Sequence, residues 1–202
     1  MTESKAPGVL AFDLDVLAEA KPDFQVLTFD HSPHPDETVS YADLVGRGRK
    51  LARALGQQGY TRGDTLALCM RNHSELVVAM YAASALGVVL VPIDPRSRGD
   101  KLSFQLRDSG SKGIIYAAEL GEEVNRALAV VPEVKTVGVL YQDDFGVPVS
   151  NQVPSLDEIL AGPEAPALAP TGNSITDPYL VIYPAGTTGN PKGVTLRNDR
   201  LL

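Results

Sequence analysis

A three-layer α/β fold, with a largely parallel sheet flanked by helices, is predicted by three features of the sequence. Short apolar runs alternate with segments of helical periodicity from residue 65 to residue 140. Two of those runs, 65–70 and 88–92, are apolar on successive residues, the pattern of strands buried on both faces of a parallel sheet. The helical segment between them completes a strand–helix–strand unit, the crossover that sets two strands side by side and parallel.

Taken in order, residues 1–8 read as a loose terminus, and 12–20 predict a short helix with Phe12, Val16 and Leu17 on one side. Residues 25–29 alternate as a strand, and 31–36 form a polar, proline-containing turn. His31 and His34 in that turn have the spacing of metal ligands. No cysteine or further histidine is near them in sequence, so a solvated loop is expected. Ser40 is a good helix N-cap, with Asp43 three residues on as a weak capping-box partner. Tyr41, Leu44, Val45, Leu51, Ala52 and Leu55 then keep helical spacing, and Gly59 is the expected stop. Arg47, Arg49, Lys50 and Arg53 fall largely outside that stripe and read as a solvated basic face.

The strand at 65–70 leads into a helix that begins at 71–74 and ends at Gly87, with His73 at its start as a capping or surface residue. After the strand at 88–92, Asp94-Pro95-Arg96 is a turn. A helix at 101–108 follows, with Leu102 and Leu106 on one face and Gly110 as its stop. A strand at 113–116, a helix at 121–130 and a strand at 136–140 continue the alternation. Residues 142–154 are polar and turn-rich, 156–160 suggest one short helix, and 161–173, with Pro163, Pro166 and Pro170, read as a loose connector.

At 202 residues the chain can bury a substantial core. Its 44% hydrophobic and 21% charged residues are ordinary for a globular protein. A net charge of −7 argues against nucleic acid as a partner held by overall charge, though a local loop can still bind an anion. One cysteine, Cys69, permits no internal disulfide and reads as a small core hydrophobe, which makes a reducing cytoplasm the simplest location. The terminus lacks a secretory signal, and the longest apolar stretch, 76–92, is broken by Ser84 and Gly87, so no integral membrane segment is expected.

The chemistry concentrates near the end of the chain. An apolar run, Tyr179-Leu180-Val181-Ile182-Tyr183, delivers the backbone into Pro184-Ala185-Gly186-Thr187-Thr188-Gly189-Asn190-Pro191-Lys192-Gly193. Glycines let the backbone approach an anion, threonine hydroxyls and free N–H groups donate to its oxygens, and the lysine adds a point charge. The nucleotide P-loop pattern fails, because Pro191 precedes Lys192 and Gly193 follows it. A plain surface hairpin is possible on turn chemistry but leaves the joint placement of two threonines and a lysine unexplained.

The ordered run Gly186-Thr187-Thr188-Gly189-Asn190-Pro191-Lys192-Gly193-Val194 resembles the phosphate-binding loop of the acyl-adenylate-forming enzymes, and Asp177-Pro178 resembles the family's approach to it. The resemblance extends back over Thr38 to Leu44, Gly63-Asp64, Ala85-Leu86-Gly87 and Val91-Pro92-Ile93-Asp94-Pro95. It implies the N-terminal portion of the adenylate-forming fold: an α/β subdomain over 1–170, then over 171–202 the start of the next segment, which carries the loop. It also implies ATP with Mg2+, a carboxylic acid of fatty-acid type and coenzyme A as partners. Thr187, Thr188 and Lys192 would then hold the β- and γ-phosphates, with Gly186, Gly189, Asn190, Pro191 and Gly193 shaping the loop and Lys192 stabilising charge on the pyrophosphate side. An acyl-AMP ligase that loads a carrier protein, and a non-catalytic binding module, are the alternatives.

Two departures from the family pattern bear on activity. Pro184 and Ala185 stand where the family usually has hydroxyl residues, and Asn198 stands where it often has histidine. The family's adenine- and ribose-binding segments and its C-terminal domain would follow Leu202, so the 202 residues alone are expected to be inactive. An incomplete sheet would also leave an edge or apolar face uncovered, with homodimerisation as the expected way to cover it.

Overall fold

The computed structural model describes residues 8–30, 36–141, 146–150, 152–168, 172–184 and 191–200. The expected histidine turn at 31–36 lies outside them except for Asp36, and Ala185 to Asn190 of the loop lie wholly outside.

A six-stranded sheet forms the centre, in the order β6-β5-β3-β4-β7-β8. Its strands are β3 (Thr65–Cys69), β4 (Val89–Pro92), β5 (Gly113–Ala117), β6 (Lys135–Leu140), β7 (Pro178–Ile182) and β8 (Val194–Arg197). The first five in that order run parallel, and β8 is antiparallel to β7. The α/β expectation therefore holds, and β3, β4 and β5 carry the nearly continuous apolar burial of strands covered on both faces. A separate antiparallel pair, β1 (Gln25–Phe29) and β2 (Glu37–Ser40), leads into the first long helix.

Two groups of helices flank the sheet. One packs α1 (Leu10–Ala20), α2 (Tyr41–Gln57), α3 (Ser74–Leu86) and α6 (Leu156–Leu160) together. The other pairs α4 (Gly99–Asp108) with α5 (Gly121–Val130). In α2 the capping box forms as its sequence implies: Ser40 Oγ accepts from the Asp43 N–H at 3.1 Å, and Asp43 accepts from the Ser40 N–H at 3.3 Å. Leu44, Leu51 and Leu55 on the inner stripe are at most 2% exposed, each contributing roughly 1.5–3 kcal/mol by leaving water. Gly59 takes φ +82°, and Tyr60 N–H reaches back to the Leu55 carbonyl, closing the helix as a Schellman turn.

Three expectations need correction. In α1, Ala11, Phe12 and Asp15 are buried while Val16 is 58% and Leu17 is 37% exposed, because the helix packs Leu10, Ala11, Leu14 and Ala18 on the core, with Asp15 reaching partners on α2 and α3 from that side. The basic residues of α2 are not simply a solvated face. Arg47 pairs with Glu37 and Glu75, Arg49 with Asp15, and Lys50 with Glu164; only Arg53 stays exposed. The connector at 161–173 is tied down at its described ends, where Ala165 is buried and the Asn173 amide donates to the Ser84 carbonyl at 2.7 Å. Cys69 is buried as expected, and burial pushes its thiol up to about 12, so it is inert. Among the described residues no helix is long and apolar enough to cross a membrane.

Candidate functional site

β7 and β8 form a hairpin, with Ile182 opposite Val194, Val181 opposite Thr195 and Leu180 opposite Leu196. The hairpin is fixed to the sheet through β4, where Leu180 pairs with Leu90. Tyr179 is 1% exposed, and its hydroxyl donates to the Met80 carbonyl of α3 at 2.9 Å. The strand that delivers the loop is thus anchored in the core. The loop leaves β7 at its carboxyl end, the same edge of the sheet at which the parallel strands β3, β4 and β5 end. That edge is where open parallel sheets place ligands.

Of the eight candidate loop residues, Gly186, Thr187, Thr188, Gly189 and Asn190 lie outside the described residues. Pro191 is half-buried, while Lys192 and Gly193 are exposed at the foot of β8. Lys192 is exposed, so its ammonium is accessible to an anion from solvent. Pro184, at the other foot, is exposed and lacks an N–H to donate.

The base of the hairpin is closed by two ties. Asp177 accepts two bonds from the Arg62 guanidinium, at 2.8 and 3.1 Å, and one from the Ser174 N–H at 2.8 Å. The Arg62 guanidinium beside Asp177 holds its carboxyl below the usual carboxylate range. Asn198, at the far end of β8, is 3% exposed. Its N–H donates to the Asp177 carbonyl at 3.1 Å and its side-chain amide to the Ser174 carbonyl at 3.0 Å. The residue read as a departure from the family's histidine is therefore a structural tie in this chain.

The turn after β4, the strand next to β7, carries Asp94 and Arg96 in a bidentate pair that holds the Asp94 carboxyl at about 2. Both are outward-facing, with the Arg96 side chain 89% exposed. Tyr183 is a feature that sequence reasoning treats only as the end of an apolar strand. Its hydroxyl donates to Asp108 Oδ2, in the last turn of α4, at 2.8 Å. No local pattern signals that contact, because the partners stand 75 residues apart. Among the described residues no group of three or more His, Cys, Asp or Glu could hold a metal ion. The arrangement sets an exposed lysine, Lys192, at the carboxyl-end rim of a parallel sheet, a placement that suits an anionic ligand.

A family model described as AMP-binding enzyme matches residues 14–202. The chain is 35% identical over 164 residues to the long-chain-fatty-acid–CoA ligase FadD13 of Mycobacterium tuberculosis, covering 80% of this chain and 30% of that protein. It is 28% identical over 171 residues to a medium/long-chain-fatty-acid–CoA/3-oxocholest-4-en-26-oate–CoA ligase of Mycobacterium marinum, again 30% of that protein's length. The fold matches the crystal structure of the N-terminal domain of FACL13 from Mycobacterium tuberculosis with a TM-score of 0.74 at 29% identity, over 94% of this chain and 44% of that one. A benzoate CoA ligase from Burkholderia xenovorans shares the fold at a TM-score of 0.76 and 21% identity, over 95% of this chain and 35% of that one.

Proposed function

The chain belongs to the AMP-binding enzyme family, and from that membership we propose that it supplies the N-terminal part of an ATP-dependent acid–thiol ligase acting on a fatty acid. The observation that carries the reading is the β7–β8 hairpin, which holds the threonine- and lysine-bearing loop at the carboxyl edge of the sheet with Lys192 exposed. The fatty-acid assignment rests on similarity to fatty-acid–CoA ligases, of which the chain spans 30% of the length.

In this mechanism the carboxylate oxygen of the acid attacks the α-phosphorus of ATP. The bond from that phosphorus to the bridging oxygen breaks, and pyrophosphate leaves with the electron pair. Lys192 and the hydroxyls of Thr187 and Thr188 hold the β- and γ-phosphates, so that charge building on the leaving group meets fixed donors and a cation. Mg2+ brought with the nucleotide would supply further neutralisation of the leaving group's charge. The thiol of coenzyme A then displaces AMP from the acyl carbon. Transfer to a carrier protein's thiol would use the same residues of this chain and differ only in the second acceptor.

Pro184 favours a second reading, a non-catalytic binding module, because both it and Ala185 lack the hydroxyls the family usually places there. Pyrophosphate exchange on the full-length enzyme that carries this chain, across a panel of short, long and aromatic acids, separates the two. Exchange with long-chain acids supports the ligase, and absence of exchange with every acid removes it. Exchange that appears only in the P184S/A185S variant supports the binding module.

A further inference from the structure

Tyr183 touches the candidate loop at both of its feet. It immediately precedes Pro184 in the chain, and its ring also lies over the far foot. A Cβ built on Gly193 would sit 3.3 Å from both Cζ and the hydroxyl of Tyr183, and 3.0 Å from Cγ1 of Val181. Those separations are tighter than ordinary van der Waals contact, and Gly193 is not among the glycines with positive φ. A side chain there would press on Val181 and on the tyrosine ring, so the glycine leaves room for both without needing a special backbone conformation. The same ring is held from outside the hairpin, because the hydroxyl donates to Asp108 Oδ2 at 2.8 Å and lies 3.4 Å from the Gln105 carbonyl. Burial and the Asp108 carboxylate both push the Tyr183 hydroxyl upward, so it remains a donor.

We propose that Tyr183 is a positioning residue, pinned by Asp108 and seated against Gly193, that fixes where Lys192 emerges from the sheet. Lys192 is joined directly to Gly193, so a displaced ring displaces the backbone that carries the ammonium. Asp108 is exposed, and a solvent-facing hydrogen bond adds little to global stability. Its effect falls instead on the geometry of the loop, where a shift of about an ångström is enough to weaken transition-state contacts. The inference rests on the phosphate-binding role of Lys192 and adds a residue that would not itself touch the nucleotide.

The test is ATP–pyrophosphate exchange by the full-length enzyme that carries this chain, with thermal midpoints of the same proteins measured alongside. Y183F and D108A should each raise KM for MgATP about tenfold while moving the thermal midpoint little. The Y183F/D108A double variant should be no worse than either single variant, since both remove one contact. D108N keeps an oxygen that accepts the tyrosine proton and should restore near-normal KM. K192A separates the claims. If K192A exchanges normally, the phosphate reading falls and the positioning role with it. If K192A is impaired while Y183F and D108A keep the wild-type KM, or if their KM changes simply track a fall in thermal midpoint, the positioning role alone is overturned.

Discussion

The hydroxyl of Tyr81 donates to Asp15 Oδ1 at 2.6 Å in the buried angle between α1 and α3, and Arg49 of α2 reaches the same oxygen at 3.0 Å. One carboxylate thereby joins three helices. Asp15 is 5% exposed, and removing it leaves a phenol and a guanidinium without their shared acceptor. D15A should lower stability by about 3 kcal/mol, the usual cost of breaking a buried charged pair from one side. Y81F should cost only about 1 kcal/mol. Urea unfolding of the two variants checks both values.

Two glycines of α2 should respond in opposite directions to the same change. A Cβ on Gly48 would overlap the ring of Tyr81, which is 1% exposed and cannot swing away. G48A should cost about 1–3 kcal/mol through overpacking between α2 and α3. Gly46 has nothing within 4 Å of a built Cβ, so G46A should gain up to about 1 kcal/mol of helix propensity. Thermal unfolding of the pair reads the contrast directly.

The cluster at the start of α3 predicts how stability varies with pH. His73 Nδ1 lies 2.8 Å from Glu75 Oε2, and Arg47 bonds the other oxygen of the same carboxylate. Burial alone would push the Glu75 carboxyl up, but the His73 hydrogen bond and the Arg47 charge outweigh it and hold the group at about 2. Its folded value is below the unfolded 4.5, so its stabilisation is present above 4.5 and fades as pH falls toward 2. His73 is shifted the other way, raised above 6.5 chiefly by its hydrogen bond to Glu75 against opposing burial, with Glu37 and Glu119 adding charge. Its contribution is complete below 6.5 and fades as pH rises through the raised value. Unfolding free energy measured from pH 2 to 9 should show both slopes. E75Q should flatten the acid slope, and a wild-type profile without one would contradict the assignment.

Much of the fold is legible in the sequence because its signals are local. The capping box of Ser40 and Asp43, the glycine stops at Gly59 and Gly87, and the unbroken apolar strands β3 to β5 each act over a few residues. The buried pairs are not legible in the same way. Asp15 and Arg49 are 34 residues apart, and Arg47 and Glu75 are 28 apart, so the sequence shows only charges that would ordinarily be solvated. The exposure of Val16 and Leu17 is not legible either, since α1 packs its Leu10, Ala11, Leu14 and Ala18 side on the core, and Asp15 meets Arg49 and Tyr81 along that same side. At the candidate site the pattern of glycines, threonines and lysine can be read from composition and order. The clasp of Tyr183 by Asp108 cannot, because it depends on how α4 packs beside β7.

Lys192 is the residue proposed to work on the pyrophosphate side of adenylate formation. That role is tested most directly by the rate of ATP–pyrophosphate exchange in K192A against wild type, in the full-length enzyme that carries this chain. Lys192 is exposed at the foot of β8, so its truncation should leave thermal stability within about 0.5 kcal/mol of wild type. The exchange rate should fall about a hundredfold, the scale of losing one preorganised charge contact. A K192A enzyme that folds normally and exchanges at the wild-type rate would contradict the account.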